Sequence, residues 1–305
     1  MRKLKLLKFK SLDKIMKWSF SIFVLFTTFL VLSIVDKPLC AYCQEVSYAG
    51  KTVNSWVSDL NYKNSKNTRK QAQEAVRQIG TNSLAFLLAE MSALGESWEK
   101  DPTNFFKTPT LADRILDVRI AFEVLGPTAK PAIQKLVGFL NEGRPPGIAA
   151  YELTQIDADS AVIALTQALT NKIYGVRCAA ASNLFYVRSN ATIAVPNLIA
   201  CLKVESFENL TVGPFDTDAA PLRNFAAAML GEIHKRPEIA VPALIESLQN
   251  DSSINVRIRA AHALGKFGND AQAAIPALTQ AAKQADYRVS LEATSALKKI
   301  LLQSP

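Results

Sequence analysis

The stretch Val256-Arg257-Ile258-Arg259-Ala260-Ala261-His262-Ala263-Leu264-Gly265 decides the architecture. Val256, Ala260, Ala263, Leu264 and Phe267 step by three or four residues, which puts them on one face of a helix. The alanines leave room for a neighbouring helix to approach closely. Gly268 and Asn269 stop the helix. Pro276 opens a second one, where its missing N–H costs nothing. Ile275, Leu278 and Ala282 give this second helix its own apolar stripe. One such hairpin cannot bury both of its apolar faces, so hairpins must stack.

The same pattern recurs upstream. Val176-Arg177 and Leu222-Arg223 line up with Val256-Arg257, and each is followed by paired alanines, Ala180-Ala181 and Ala226-Ala227. In all three units a proline stands nineteen residues after the arginine: Pro196, Pro242 and Pro276. Each opens a matching run, Val195-Pro196-Asn197-Leu198, Val241-Pro242-Ala243-Leu244 and Ile275-Pro276-Ala277-Leu278. Equal offsets with the same flanking residues mark an internal repeat.

Further copies are more degenerate. Arg69, Ala72, Ala75 and Gly80 keep the spacing of Arg257, Ala260, Ala263 and Gly268. Ala121 with Leu125-Gly126-Pro127 gives another unit, with a shorter turn before Lys130-Pro131-Ala132-Ile133. Residues 147–170 read as a hairpin lacking both markers, and 285–303 as a final partial unit. The expectation is an all-α, right-handed α-solenoid of about seven stacked hairpins over residues 61–303.

The V-R-x-x-A-A-x-A-L-G run resembles the short bacterial type of the HEAT-repeat family, over about residues 60–303. That resemblance implies a binding surface or scaffold acting on a protein or peptide partner. Some members of the family are lyase-related, which makes an enzyme or enzyme-associated role the alternative. The segment Tyr48–Leu60 looks like a lead-in found before such repeats in exported bacterial relatives. Read from its residues, Val53, Trp56, Val57 and Leu60 form one face of a short capping helix over the open end of the stack.

The chain begins differently. Residues 1–17 carry seven basic residues against Asp13, and Trp18 to Val35 hold no charge. An apolar run of that length is just long enough to cross a bilayer as a helix, and its basic flank favours the cytoplasmic side. Cleavage as a signal peptide, retention as a signal anchor and lipidation at Cys40 all end with the repeats outside the cytoplasm. The expected organisation is a membrane or signal segment at 1–40, a linker and capping helix at 41–60, and then the solenoid. An inner-membrane protein with an extracytoplasmic domain, or a secreted one, follows.

This also disposes of the net charge of +8 in 305 residues. Residues 1–40 hold eight of the 35 basic side chains and two of the 27 acidic ones, hence six of the eight net charges. The remainder is nearly neutral, and no nucleic-acid partner is expected.

Candidate chemistry is sparse. With His234 and His262 alone, no Ser/His/Asp set or histidine metal site can be assembled. Cys40 and Cys43 form a CxxC without the histidine that a c-type haem motif needs. Cys178 and Cys201 read as buried small side chains, with a disulfide as the alternative. No catalytic residue, cofactor or metal is expected. Arg177, Arg223 and Arg257 recur at a packing position, which favours structural rungs over ligand contacts.

The functional expectation rests on two long connections between repeats, 96–111 and 204–220. The first holds Trp98, Phe105 and Phe106; the second holds Glu205, Phe207, Glu208, Phe215 and Asp216. Both follow a second helix and precede a first one, so they should form one partner-binding rim with aromatic anchors.

Overall fold

The computed structural model describes residues 46–101, 105–204 and 220–302. From Ser47 onward these residues form one unit of stacked helical hairpins. The first helices of the hairpins are α2 (Lys66–Ile79), α4 (Pro109–Leu125), α6 (Pro146–Ile156), α8 (Tyr174–Asn183), α10 (Pro221–Ile233) and α12 (Ile254–Phe267). Their second helices are α3 (Leu84–Lys100), α5 (Ile133–Glu142), α7 (Ala158–Ala168), α9 (Val195–Leu202), α11 (Pro237–Asn250) and α13 (Ile275–Ala281). A last helix, α14 (Tyr287–Leu302), has no second helix among the described residues. Six pairs and this half agree with the expected repeat count.

A short helix, α1 (Val53–Asp59), closes the N-terminal end. Thr52 caps it by accepting from the Ser55 amide, and Val53, Trp56 and Val57 are buried against α2 and α4. The sequence pattern missed the two-stranded hairpin before it, β1 (Ser47–Tyr48) with β2 (Lys51–Thr52). The indole N–H of Trp56 donates to the Tyr48 carbonyl at 2.8 Å and ties that hairpin to the cap.

Three of the turns between first and second helices share one backbone solution. Gly80, Gly126 and Gly268 have φ of 57°, 49° and 53° with ψ of −132°, −129° and −127°. This region is closed to side chains with a Cβ, which explains the glycine in each of these repeats. Each glycine opens a 3-10 turn that feeds the second helix. His234 and Arg236 replace this device in one repeat with left-handed conformations at φ 34° and 56°. There α11 starts at Pro237, so Pro242 lies inside the helix and does not open it, which corrects the nineteen-residue rule for that unit. Pro196 and Pro276 do sit at the starts of their helices.

Successive first helices pack directly on one another from α2 to α14. Counting back from the turn explains how. Five residues before it stand Ala75, Ala121, Glu152, Asn183, Met229 and Ala263, all buried. Three residues before it stand Gly231 and Gly265. A Cβ on Gly231 would lie 2.7 Å from the Cα of Ala263, and one on Gly265 would lie 3.0 Å from that of Ala296. Glycine therefore sets the spacing of α10, α12 and α14.

The uncharged run 18–35 lies outside the described residues. Among those described, no helix is long and apolar enough to cross a membrane.

Candidate partner-binding surface

The structure redraws the first stretch of the expected rim. α3 continues through Trp98 to Lys100 and α4 begins at Pro109, so the 96–111 connection is mostly helix and a 3-10 turn at Phe105–Lys107. Phe105 is only 1% exposed, and Trp98 meets it edge-on with ring centroids 5.3 Å apart. Two large rings that can shield each other from water do so, and they anchor the chain to itself. Phe106 belongs to the same turn. Glu205, Phe207, Glu208, Phe215 and Asp216 lie outside the described residues; Val204 and Ala220 mark where that stretch leaves and returns.

Exposed aromatic rings gather elsewhere, across α4, α6 and the segment after α8. The guanidinium of Arg119 on α4 lies over the Tyr151 ring of α6, 4.1 Å from its centroid. Tyr151 meets Tyr186 edge-on at 5.2 Å, Tyr186 meets Phe185 edge-on at 5.8 Å, and Arg188 covers Phe185 at 4.6 Å. Arginine, three rings and arginine thus form a continuous strip. Phe185 is 44% exposed and Tyr186 56%. Among the described residues neither arginine forms a salt bridge, although Arg119 acts electrostatically on the buried Glu152 and Arg188 on Glu232, and Arg188 also donates to the Phe185 carbonyl at 3.2 Å.

Register explains why these rings face outward. Phe185 and Tyr186 stand eight and nine residues after Arg177, where the next repeats have Gly231-Glu232 and Gly265-Lys266. A phenyl ring cannot make the approach that Gly231 makes to Ala263. α8 accordingly ends at Asn183, and the backbone leaves helical geometry at Val187, with φ −122° and ψ 19°. In the repeats that keep the glycine, the adjacent position carries an ion-pair rung, Lys266 to Glu232 at 2.6 Å. The strip was legible as a departure from the repeat: Phe where the register wants Gly, and Arg188 where it wants the turn glycine.

Residues 216–298 match the family model described as HEAT repeats. Solved structures similar to this chain include an engineered protein, at 20% identity and a TM-score of 0.43, covering 82% of this chain and 96% of the other. Human deoxyhypusine hydroxylase in complex with glycerol is also similar, at 16% identity and a TM-score of 0.32, with 82% and 96% covered. No curated protein matches the chain in sequence.

The recurrent arginines are rungs of the scaffold. Arg177 donates to the carbonyls of Asn171 and Lys172, and Arg257 to those of Asp251 and Ser252, each clamping the loop that precedes its own helix. Arg223 instead grips Asp251 of the next repeat with two hydrogen bonds, at 2.8 and 3.1 Å, and the Val204 carbonyl at 3.0 Å. An open groove of about 1040 Å³ runs beside that pair between α9 and α11. Its buried charges, Arg223 and Asp251, are already committed to each other.

Other titratable groups are equally settled. Cys178 and Cys201 are buried thiols that are not joined in a disulfide. Burial pushes the Cys201 thiol up to about 11, so it is not a thiolate at neutral pH and is a poor nucleophile. His262 meets Glu292 of α14 at 2.8 Å, and His234 occupies the left-handed C-cap of α10. Among the described residues, no three His, Cys, Asp or Glu side chains gather as a metal site. Glu152 stands apart. Its carboxyl is fully buried beside Tyr151 with no hydrogen-bond partner, and burial holds its pKa well above the usual carboxylate range. Arg119 opposes that shift and Glu123 adds to it.

Proposed function

We propose that this chain is a protein-interaction scaffold that works outside the cytoplasm and docks its partner across the strip from Arg119 to Arg188. The observation that carries the reading is the outward display of Phe185 and Tyr186 between two arginines that form no salt bridge among the described residues. Rings of this kind supply large contact area at low entropic cost and concentrate at interface hot spots. Stacked hairpins whose charged groups are spent on internal rungs suit a binding role better than catalysis. The basic N-terminus and the uncharged run 18–35 support export, with the run either retained as a membrane anchor or cleaved. The acidic stretch holding Glu205, Phe207, Glu208, Phe215 and Asp216 is a second candidate contact for the same partner.

A photo-crosslinking residue placed at Tyr186 in intact cells tests the docking surface. It should capture a discrete protein that the same probe at Tyr287, which is 74% exposed on α14, does not capture. Equal capture at both positions, or none at Tyr186, sinks the assignment. Deleting residues 205–219 should weaken the Tyr186 crosslink if that stretch contributes. A reporter fused after Pro305 should be active only outside the cytoplasm; cytoplasmic activity would overturn export.

A further inference from the structure

We infer that the strip receives an acidic peptide segment of the partner, with carboxylates for Arg119 and Arg188 and apolar side chains for the rings between them. This rests on the docking role proposed above and adds the chemistry of what docks.

Charge on this surface is out of balance. Arg119 and Arg188 stack on rings, an arrangement that covers the flat face of a guanidinium and leaves its N–H edge free for a carboxylate. Local acids do not fill that role. Glu152 is fully buried and holds its proton although Arg119 opposes that, Glu232 is paired with Lys266 and feels Arg188 only at longer range, and Asp159 accepts from Asn190 at 3.0 Å. Glu123, one turn beyond Arg119 on α4, is an exposed carboxylate that forms no salt bridge among the described residues. The Arg119 Nε is itself buried without a hydrogen-bond partner, so only the outer, terminal nitrogens of that guanidinium are offered to a ligand.

The strip's length and openness favour a peptide over a small molecule. It crosses two repeat boundaries, from α4 through α6 to residues 185–188, and Phe185 and Tyr186 are about half exposed. Single-stranded nucleic acid also stacks on rings and arginines, but it needs a basic groove along its backbone. Here Glu123 and the nearly neutral repeat region oppose a polyanion. A short segment with two carboxylates matches two guanidiniums without demanding more positive charge.

A randomised peptide library, selected on the purified full chain and counter-selected on a Phe185→Ala/Tyr186→Ala variant, tests this. Enriched peptides should carry two or more Asp or Glu around apolar residues. The tightest of them should lose about tenfold in affinity on an Arg119→Gln/Arg188→Gln chain, as expected for about 1.4 kcal/mol of charge-assisted contact. Arg188→Gln alone, at an exposed site, keeps the test valid if the double variant folds poorly, and should give part of that loss. Enrichment of neutral or basic peptides that still need the rings overturns the acidic chemistry and leaves the docking surface standing. Strip-dependent binding of oligo-dT without peptide binding overturns it in favour of nucleic acid. If no peptide depends on the strip, the inference fails, and the Tyr186 crosslink separately decides the docking reading.

Discussion

Between α10 and α14 the first helices meet through Gly231 on Ala263 and Gly265 on Ala296, and their flanks carry the rungs Lys266–Glu232 and His262–Glu292. Between α4 and α8 the same register holds Glu123 near Glu152, with Phe185 and Tyr186 turned outward. The C-terminal repeats thus spend their polar groups on each other. The middle repeats bury a carboxyl without a hydrogen-bond partner and, among the described residues, leave two arginines without a salt bridge. The first arrangement maximises packing, whereas the second keeps a sticky surface open at some cost in stability. Residues that break a repeat rule without a compensating internal contact are where function is to be sought.

Breaking the strongest rung should separate structure from function most sharply. Arg223 and Asp251 have side chains only 9% and 6% exposed. Arg223→Ala leaves Asp251 buried and uncompensated, so stability should fall by about 3–5 kcal/mol. Phe105→Ala should cost a similar amount, about 3–5 kcal/mol, because that ring is core. Lys266→Ala, at a part-exposed pair, should cost about 1 kcal/mol or less. Urea titrations followed by far-UV circular dichroism check all three. A loss at Arg223 no larger than that at Lys266 would mean that the buried pair does not hold α10 to the loop before α12.

The glycine contact comes next. Gly231→Ala drives a Cβ into the backbone of Ala263, where no flexible side chain can yield, and should cost about 1–3 kcal/mol. Gly138 on α5 has open space around its Cα, so Gly138→Ala should be neutral or stabilise by about 0.5–1 kcal/mol through helix propensity. The same substitution is expected to change sign between the two sites, which chemical denaturation reads directly.

Glu152 offers the converse test in the middle repeats. Replacing it by Met removes a buried carboxyl that lacks a partner and keeps its bulk, so the chain should gain about 1–3 kcal/mol at neutral pH. The pH dependence has a defined sign. A carboxyl whose folded pKa lies above its unfolded value holds its proton longer in the folded state, so its presence destabilises increasingly as pH rises. The gain from Glu152→Met should be least below the ordinary carboxylate value of 4.5, grow as pH rises, and level off above the raised folded value. Asp117, pushed up to about 6 mainly by burial, contributes a change of the same sign that both chains share and that cancels in the comparison. A gain that is flat with pH would mean that Glu152 finds a partner when ionised, Arg119 being the nearest.

Repeat periodicity was readable because it is a local pattern: Val256, Ala260 and Leu264 on one face, a turn glycine, and a proline at a fixed distance. The course of residues 96–111 was not, because sequence distance between markers cannot tell a loop from an extended helix. Trp98 was assigned to a connection and turned out to close the last turn of α3 on Phe105. The strip escaped notice for a different reason. Its five residues come from three elements, and only the stacking of repeats brings Arg119, Tyr151 and Tyr186 into contact. The register break at Phe185 was visible in the alignment of the repeats, but its meaning depended on knowing that Gly231 touches the next helix.

The smallest expected change in stability is also the one that bears most on function. Phe185 and Tyr186 are about half exposed, so changing both to Ser should alter stability by about 0.5 kcal/mol or less per site. Partner capture should nevertheless collapse, because truncating a central aromatic anchor typically costs about 2 kcal/mol or more of binding, a thirtyfold loss. Phe105→Ala gives the mirror image: a large loss of stability, with capture retained in whatever fraction stays folded. Comparing the two variants by denaturation midpoint and by crosslinking yield per folded molecule distinguishes an anchor for a partner from an anchor for the chain. If the Phe185→Ser/Tyr186→Ser chain unfolds as readily as the Phe105→Ala chain, the rings are core and the docking surface lies elsewhere.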